Sequence, residues 1–102
     1  MASDQLKAVV ETIRANAGVA AEGLSLADRR AAMEAQVTPI PGDVRVEPVD
    51  ISGLPACWVT APGADPAKAV VYFHGGGYVM GSTHTHEELM SRISRVCAAR
   101  VL

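Results

Sequence analysis

The chain has 102 residues, of which 49% are hydrophobic and 20% charged, a balance typical of one small globular domain rather than a disordered segment. Its formal net charge of -2 excludes the basic surface that nucleic-acid binding requires. No run approaches the ~18 apolar residues of a membrane span, and the N-terminus lacks the pattern of a secretory signal. We therefore expect a cytoplasmic protein with neither nucleic acid nor membrane as a partner.

The first predicted element is a helix over residues 4–17. Its apolar residues recur at the spacing of one helix face and are Leu6, Val9, Val10, Ile13 and Ala17. Ser3 or Asp4 could cap the first turn, and Gly18 could end the helix in the left-handed conformation.

A second helix is predicted over residues 26–37. Ser25 and Asp28 have the spacing of a capping box, in which each side chain accepts a hydrogen bond from the other residue's backbone. A stretch rich in proline and glycine then breaks the chain. We expect residues 1–38 to form a helical N-terminal segment and residues 39–102 to begin the core.

Two strands joined by a tight turn come next. Residues 44–50 are expected to be extended, and Pro48 favours an edge position because proline cannot donate to a strand ladder. The chain turns at Ser52 and Gly53 and returns over residues 55–60, so the two strands are predicted to form an antiparallel hairpin.

A third strand is predicted over residues 69–73, because an uninterrupted run of β-branched and aromatic residues is typical of a buried strand. It leads into His74 and three consecutive glycines, Gly75, Gly76 and Gly77. Glycine can adopt φ > 0 and lets a ligand approach the main chain closely. Backbone N–H groups in such a loop can act as fixed donors where negative charge develops during a reaction.

The last helix has the clearest amphipathic pattern. Thr85 and Glu88 have the spacing of a capping box, which predicts the helix start there and leaves His84 and His86 in the loop that enters it. Glu88 is also four residues from Arg92, the spacing of a weak ion pair. The predicted apolar face comprises Leu89, Met90, Ile93, Val96 and Cys97.

The cysteines and the C-terminal residues carry two further expectations. Cys57 and Cys97 are too few for a disulfide framework, so both are expected to be small buried hydrophobic residues. Val101 and Leu102 resemble the start of the next strand of a βαβ unit. We therefore expect the chain to be a fragment of a longer protein that stops within that strand.

The segment 74–82, His-Gly-Gly-Gly-Tyr-Val-Met-Gly-Ser, resembles the oxyanion-loop motif of α/β-hydrolase esterases, in particular the hormone-sensitive-lipase-like branch of bacterial esterases, family IV. Residues 43–49 and 55–59 resemble that family's first two strands, and residues 85–88 resemble the opening of its first core helix. The resemblance implies an α/β fold of which this chain is the N-terminal portion. That portion would comprise cap helices over residues 1–38, a β-hairpin, a parallel strand, the oxyanion loop and the first core helix, with an incomplete sheet.

The resemblance also implies roles for the residues of the glycine motif. Gly76 and Gly77 would donate their backbone N–H groups to the oxyanion, and Gly75 and His74 would shape the loop. After the glycines come Tyr78 and Met80, which would either line the substrate pocket or pack against the rest of the protein without a role in binding. The apolar residues of the cap helices would face an acyl chain or the rest of the cap; they are Leu6, Ile13, Leu26 and Met33.

Other interpretations of these motifs are weaker. A phosphate-binding loop requires GxGxxG or GxxxxGK[ST], and neither pattern is present. An ordinary strand-to-helix turn without a catalytic role is the other alternative interpretation of the glycines. His84 and His86 could chelate a metal, but a metal site needs three or four ligands and no third ligand is evident. We therefore predict no metal and no other cofactor.

None of the six serines stands in a Gly-x-Ser-x-Gly elbow, and the order Ser–acid–His has no room in this chain. The resemblance implies a serine esterase or lipase-like carboxylic ester hydrolase whose triad lies beyond residue 102. Its partners would be a small-molecule ester and the remainder of the hydrolase core, and the isolated chain is expected to be inactive. The alternative is a non-catalytic protein of the same fold that binds a small ligand.

Overall fold

The computed structural model describes residues 1–17 and 23–102, and the predicted helix end at Gly18 lies outside them. The elements in chain order are α1 (Asp4–Ala17), α2 (Leu26–Glu34), β1 (Arg45–Ile51), β2 (Leu54–Thr60), β3 (Asp65–Val70), α3 (Thr83–Cys97) and β4 (Ala99–Val101). The strands form one mixed sheet in the order β1-β2-β4-β3. The predicted α/β class is confirmed.

The helix α1 covers the predicted residues 4–17, and the Leu6 amide donates to Ser3 Oγ at 3.2 Å. The helix α2 begins with the predicted capping box, in which the Asp28 amide donates to Ser25 Oγ at 3.1 Å and the Ser25 amide donates to Asp28 Oδ2 at 3.0 Å. It ends at Glu34, so the predicted extension to residue 37 is wrong. The reason is that β-branched residues followed by proline disfavour helical backbone at residues 37–39.

The hairpin prediction is confirmed. β1 and β2 pair antiparallel with Ile51 opposite Leu54. The two turn residues, Ser52 and Gly53, have φ values of 55° and 88°, as a two-residue hairpin of type I′ requires. β1 is an edge strand of this sheet, as the proline within it predicted.

The third strand lies earlier in the chain than predicted and is not buried. β3 spans Asp65–Val70 rather than 69–73, and its parallel pairing with β4 continues through the Tyr72 amide, which donates to the Leu102 carbonyl at 2.7 Å. Val71 and Phe73 are 59% and 87% exposed. The reason is that this strand lies at an edge of the sheet, and only the alternate residues Val70 and Tyr72 pack against the core.

The helix α3 begins at Thr83, two residues before the predicted capping box. Its N-cap is Ser82, which exchanges hydrogen bonds with Thr85: the Thr85 amide donates to Ser82 Oγ at 3.3 Å, and the Ser82 amide donates to Thr85 Oγ1 at 2.9 Å. The predicted box of Thr85 with Glu88 is therefore wrong. So is the loop position of His84 and His86, since both lie within the helix.

The core lies between α3 and the sheet, and its buried residues are Val44, Cys57, Val59, Ala61, Met90 and Val101. Ser94 is buried with them and joins three elements. Its Oγ donates to the Ala99 carbonyl at 2.6 Å and accepts from the Ala61 amide at 2.9 Å. These two hydrogen bonds fix the helix on the sheet directly before β4.

The predicted apolar face of α3 is buried only in part. Met90 is buried and Ile93 packs against the core, but Leu89 and Val96 are 44% and 85% exposed. Cys97 is also exposed, so the prediction of its burial is wrong, whereas the burial of Cys57 is confirmed. The reason is that two small residues of this helix, Ser91 and Ser94, take buried positions, while Leu89, Val96 and Cys97 lie on the exposed side.

The predicted ion pair of α3 is present: Arg92 Nε lies 2.6 Å from Glu88 Oε1. The pair is on the exposed surface of the helix, where such a pair stabilises by only a few tenths of a kcal/mol, about 0.3 to 0.5. Within the described ranges, no helix has the length and the apolar character to cross a membrane.

Candidate functional site

The candidate site is the glycine loop, residues 74–82, which connects β3 to α3. Four of its nine residues have positive φ values: 141° at Gly76, 60° at Gly77, 65° at Tyr78 and 89° at Gly81. For a non-glycine residue such as Tyr78, the left-handed conformation costs about 1 to 2 kcal/mol. The loop is thus held in a conformation that its sequence does not favour at every position.

Two glycines of this loop are required by close backbone contacts. A Cβ atom at Gly76 would lie 1.8 Å from the Met80 carbonyl oxygen, so no side chain fits there. A Cβ atom at Gly81 would lie 2.7 Å from the Gly75 carbonyl oxygen and 3.0 Å from Nδ1 of His74. The loop therefore folds back on its own main chain.

The carbonyl of Gly76 holds this fold, because it accepts hydrogen bonds from the amides of Val79 at 3.2 Å and Met80 at 3.0 Å. By contrast, no group among residues 1–17 and 23–102 accepts a hydrogen bond from the amides of Gly75, Gly76 or Gly77. Backbone N–H groups that lack a protein partner bind water or a ligand. Three successive amides are thus available as donors.

These amides belong to the lining of an open cavity of about 500 Å³. The lining comprises the loop residues 74–81 and Arg30 of α2. Every site residue predicted from the motif therefore meets at one cavity, including Tyr78 and Met80. Arg30 was missed, since no local pattern links a helix residue to a loop 49 positions away.

His74 contacts both its own loop and the helix α3. Its Nδ1 lies 2.8 Å from the Gly75 carbonyl oxygen, and its ring stacks on His86 with the centroids 5.3 Å apart. The His86 ring in turn lies 6.2 Å from that of Tyr72. The contacts join the end of β3, the glycine loop and the first turns of α3.

His86 was not predicted to contact the site. The sequence offered only its spacing from His84, which suggested a metal. In the structure the two rings have different surroundings: His84 Nδ1 lies 3.3 Å from Glu87 Oε2, whereas His86 Nδ1 lies 2.9 Å from Thr85 Oγ1. Where the structure describes the chain, no group of three or more His, Cys, Asp or Glu side chains could hold a metal ion.

A second cavity of about 590 Å³ adjoins the first, and His74 lines both. Its lining is mostly apolar and includes Cys57, Phe73, His86 and Met90. Burial raises the pKa of the Cys57 thiol, the Glu87 carboxylate raises it further, and a hydrogen bond with Thr83 opposes both effects. The raised pKa disfavours the thiolate, which is the nucleophilic form of cysteine.

The helix α2 contacts the glycine loop at two points. Arg30 Nε donates to the Val79 carbonyl at 2.7 Å, and Ser82 Oγ donates to Glu34 Oε1 at 2.5 Å. Met33 lies between them in sequence and lines a smaller cavity of about 280 Å³ between α2 and α3. The other three apolar cap residues are exposed; they are Leu6, Ile13 and Leu26.

Comparison with known proteins gives consistent results. Residues 70–102, which include the glycine loop, match a family described as having the α/β hydrolase fold. The chain is similar to a solved esterase/lipase from an uncultured bacterium, with 36% identity over 98% of this chain and a TM-score of 0.87. It is also similar to a solved esterase of the bacterial hormone-sensitive lipase family, with 36% identity over 99% of this chain and a TM-score of 0.84.

A mouse (Mus musculus) protein named arylacetamide deacetylase-like 3 is 37% identical over 41 residues, or 40% of this chain. The chain spans 34% of the length of the two solved esterases and 10% of the length of the mouse protein. The shared region with the esterases includes both N-terminal helices, the hairpin and the glycine loop, since the superposition covers almost the whole chain.

Proposed function

We propose that this chain, which is similar to bacterial hormone-sensitive-lipase-type esterases and matches an α/β-hydrolase fold family over residues 70–102, supplies the oxyanion-stabilising half of a carboxylic ester hydrolase. The observation that carries the proposal is the set of free amides in the glycine loop. Gly76 and Gly77 have no acceptor in the described part of the chain and line a cavity of about 500 Å³. Such donors suit a carbonyl oxygen that gains negative charge.

The chemistry of the proposed reaction explains why fixed amides matter. When a nucleophile attacks the ester carbon, the carbonyl π-electrons move to oxygen and a tetrahedral oxyanion forms. The amides of Gly76 and Gly77 would bind that oxyanion more strongly than they bind the neutral carbonyl, so they lower the barrier. One such donor is typically worth about 3 to 4 kcal/mol in the transition state.

The nucleophile of this proposal is a serine outside these 102 residues, because none of the six serines here stands in Gly-x-Ser-x-Gly. A histidine would accept the serine proton and pass it to the leaving alcohol. The resulting acyl-enzyme would then be hydrolysed by water, which releases the carboxylic acid and restores the serine. No metal or other cofactor takes part in these steps.

The remaining roles extend the same proposal. His74 and Gly75 shape the loop, since His74 Nδ1 lies 2.8 Å from the Gly75 carbonyl oxygen and the His74 ring stacks on that of His86. Tyr78 and Met80 contact the acyl or alcohol part of a small-molecule ester at the mouth of the cavity. Residues 1–38 form part of a cap and residues 39–102 the start of the core, in a protein that acts in the cytoplasm.

The test is an ester-hydrolysis assay of the natural gene product that contains this chain. With p-nitrophenyl acetate we expect a burst of p-nitrophenol followed by steady turnover, and both should be abolished by a serine-reactive fluorophosphonate. A gene product that binds short carboxylic acids in a calorimeter but releases no p-nitrophenol would instead support the non-catalytic ligand-binding alternative. Turnover that survives the fluorophosphonate would contradict the serine mechanism.

A further inference from the structure

We infer that Arg30 and Glu34 of α2 are positioning residues for the oxyanion loop, an inference that rests on the proposed function. The two residues are four positions apart, so they project from the same face of the helix. Arg30 Nε donates to the Val79 carbonyl at 2.7 Å, and Glu34 Oε1 accepts from Ser82 Oγ at 2.5 Å. One turn of the helix thus binds the loop at Val79 and at Ser82, both of which follow the three consecutive glycines.

The hydrogen bond of Arg30 is linked to Gly76 through a single residue, Val79. The Val79 carbonyl accepts from the guanidinium, while the Val79 amide donates to the Gly76 carbonyl at 3.2 Å. The next residue, Met80, donates its amide to the same carbonyl at 3.0 Å, and its own carbonyl oxygen lies 1.8 Å from the place that a Cβ atom of Gly76 would take. A shift of residues 79–80 therefore moves the Gly76–Gly77 peptide, which carries the Gly77 N–H, one of the two proposed oxyanion donors.

The contact at Glu34 fixes the other end of the loop. Ser82 is the N-cap of α3, and its hydroxyl accepts from the Thr85 amide at 3.3 Å while it donates to Glu34. The Ser82 carbonyl lies 3.3 Å from His86 Nδ1, and His86 stacks on His74. The carboxylate thus anchors the junction between the loop and the helix.

The loop needs such an anchor because little else holds residues 78–79 in place. The side chains of Tyr78 and Val79 are exposed, and Tyr78 adopts a left-handed conformation. Hydrogen bonds to a charged partner are stronger than neutral ones. A displacement of catalytic groups by about 1 Å is enough to lower the rate by roughly 100-fold.

The experiment compares kcat and KM of the natural gene product with those of its R30A and E34A variants, after titrating active sites with a fluorophosphonate. We expect kcat per titrated site to fall by roughly 10- to 100-fold while KM changes by less than about threefold, because the amides act on charge that develops in the transition state. E34Q keeps an oxygen acceptor for Ser82 and should restore most of kcat. R30K keeps the charge but not the Nε–H donor, so it should stay impaired.

R14A and E11A are the matched controls. They remove the same side chains from exposed positions of α1, where neither residue has a hydrogen bond or ion pair to the described residues. Both should retain the kcat of the unmodified protein. If R30A and E34A lose stability but keep kcat per titrated site, the two residues are merely structural and the inference is wrong, while the proposed function stands.

A second measurement separates this inference from the function on which it rests. Hydrogen–deuterium exchange of the peptide that contains residues 74–82 should accelerate at least about fivefold in R30A and E34A but not in R14A or E11A, because loss of the anchor lets the loop open locally. If the gene product hydrolyses no ester, the proposed function fails, and accelerated exchange still supports the anchoring of the loop. Unchanged exchange in both α2 variants would overturn the inference in either case.

Discussion

At the scale of single residues, Gly76 and Gly77 differ although they are adjacent and share a proposed role. Gly76 combines a φ of 141° with a backbone oxygen only 1.8 Å from the position of a Cβ atom. Gly77 has a φ of 60° and open space where its Cβ atom would be. Alanine can adopt the second conformation at a cost of about 1 to 2 kcal/mol, but it cannot share space with a carbonyl.

We therefore predict that G76A lowers kcat on p-nitrophenyl acetate by at least about 100-fold in the natural gene product, because the loop must open to admit the methyl group. G77A keeps its amide and should lose less than about tenfold. G42A serves as the control, since Gly42 has no positive φ and no neighbour within 4 Å of the place that an alanine methyl group would take. Equal losses in G76A and G77A would count against this account.

The two cysteines give a prediction about reactivity and pH. Iodoacetamide attacks the thiolate, and burial raises the pKa of the Cys57 thiol, so this residue should react slowly and accelerate only at pH values above the ordinary thiol range. Cys97 is exposed and should be alkylated first. Peptide mapping by mass spectrometry at several pH values measures both rates, and C97S should remove the fast phase. Alkylation of Cys57 at the rate of Cys97 would show that the thiol is open to water.

At the scale of elements, the attachment of α3 to the sheet depends on one hydroxyl. Ser94 Oγ is the partner of both the Ala61 amide and the Ala99 carbonyl. Ser91 is also buried but bonds only to the Glu88 carbonyl of its own helix, at 2.6 Å. The two serines therefore differ in what they hold together, although both are buried.

S94A should lower the free energy of unfolding by about 2 to 3 kcal/mol, because it leaves one buried donor and one buried acceptor without partners. S91A should cost less than about 1 kcal/mol, since alanine favours the helix and no inter-element bond is lost. Urea denaturation followed by tryptophan fluorescence compares the two variants. A similar midpoint for both would mean that water replaces the hydroxyl of Ser94.

The same elements explain what the sequence could predict. The bounds of α1, the hairpin turn and the Ser25 capping box follow from contacts within a few residues, so local patterns were sufficient. The start of α3 was wrong because two overlapping capping boxes compete, and the one that begins at Ser82 also gains a hydrogen bond with distant Glu34. Arg30 could not be predicted at all, because its partner lies 49 residues away. Non-local contacts thus decided what local patterns left open.

At the scale of the whole molecule, the sheet exposes apolar side chains near the glycine loop. Leu54 at the hairpin and Phe73 beyond β3 are 69% and 87% exposed, and both line the apolar cavity of about 590 Å³. In the sheet formed by the described residues, β3 pairs with β4 alone. An open strand edge beside exposed apolar side chains is a surface that associates readily.

The isolated 102-residue chain is therefore predicted to be inactive and to self-associate. It should release no p-nitrophenol from p-nitrophenyl acetate above a buffer blank, because it contains no Gly-x-Ser-x-Gly nucleophile to attack the ester. It should bind a hydrophobic dye such as anilinonaphthalene sulfonate and elute from a sizing column ahead of a 10.6 kDa monomer. The variant F73K should reduce both dye binding and association, since it places a charge at the more exposed of these two apolar positions. Burst kinetics from the isolated chain would show that these residues contain a nucleophile. Elution as a single monomeric peak without dye binding would show that the apolar surface is covered by the chain itself.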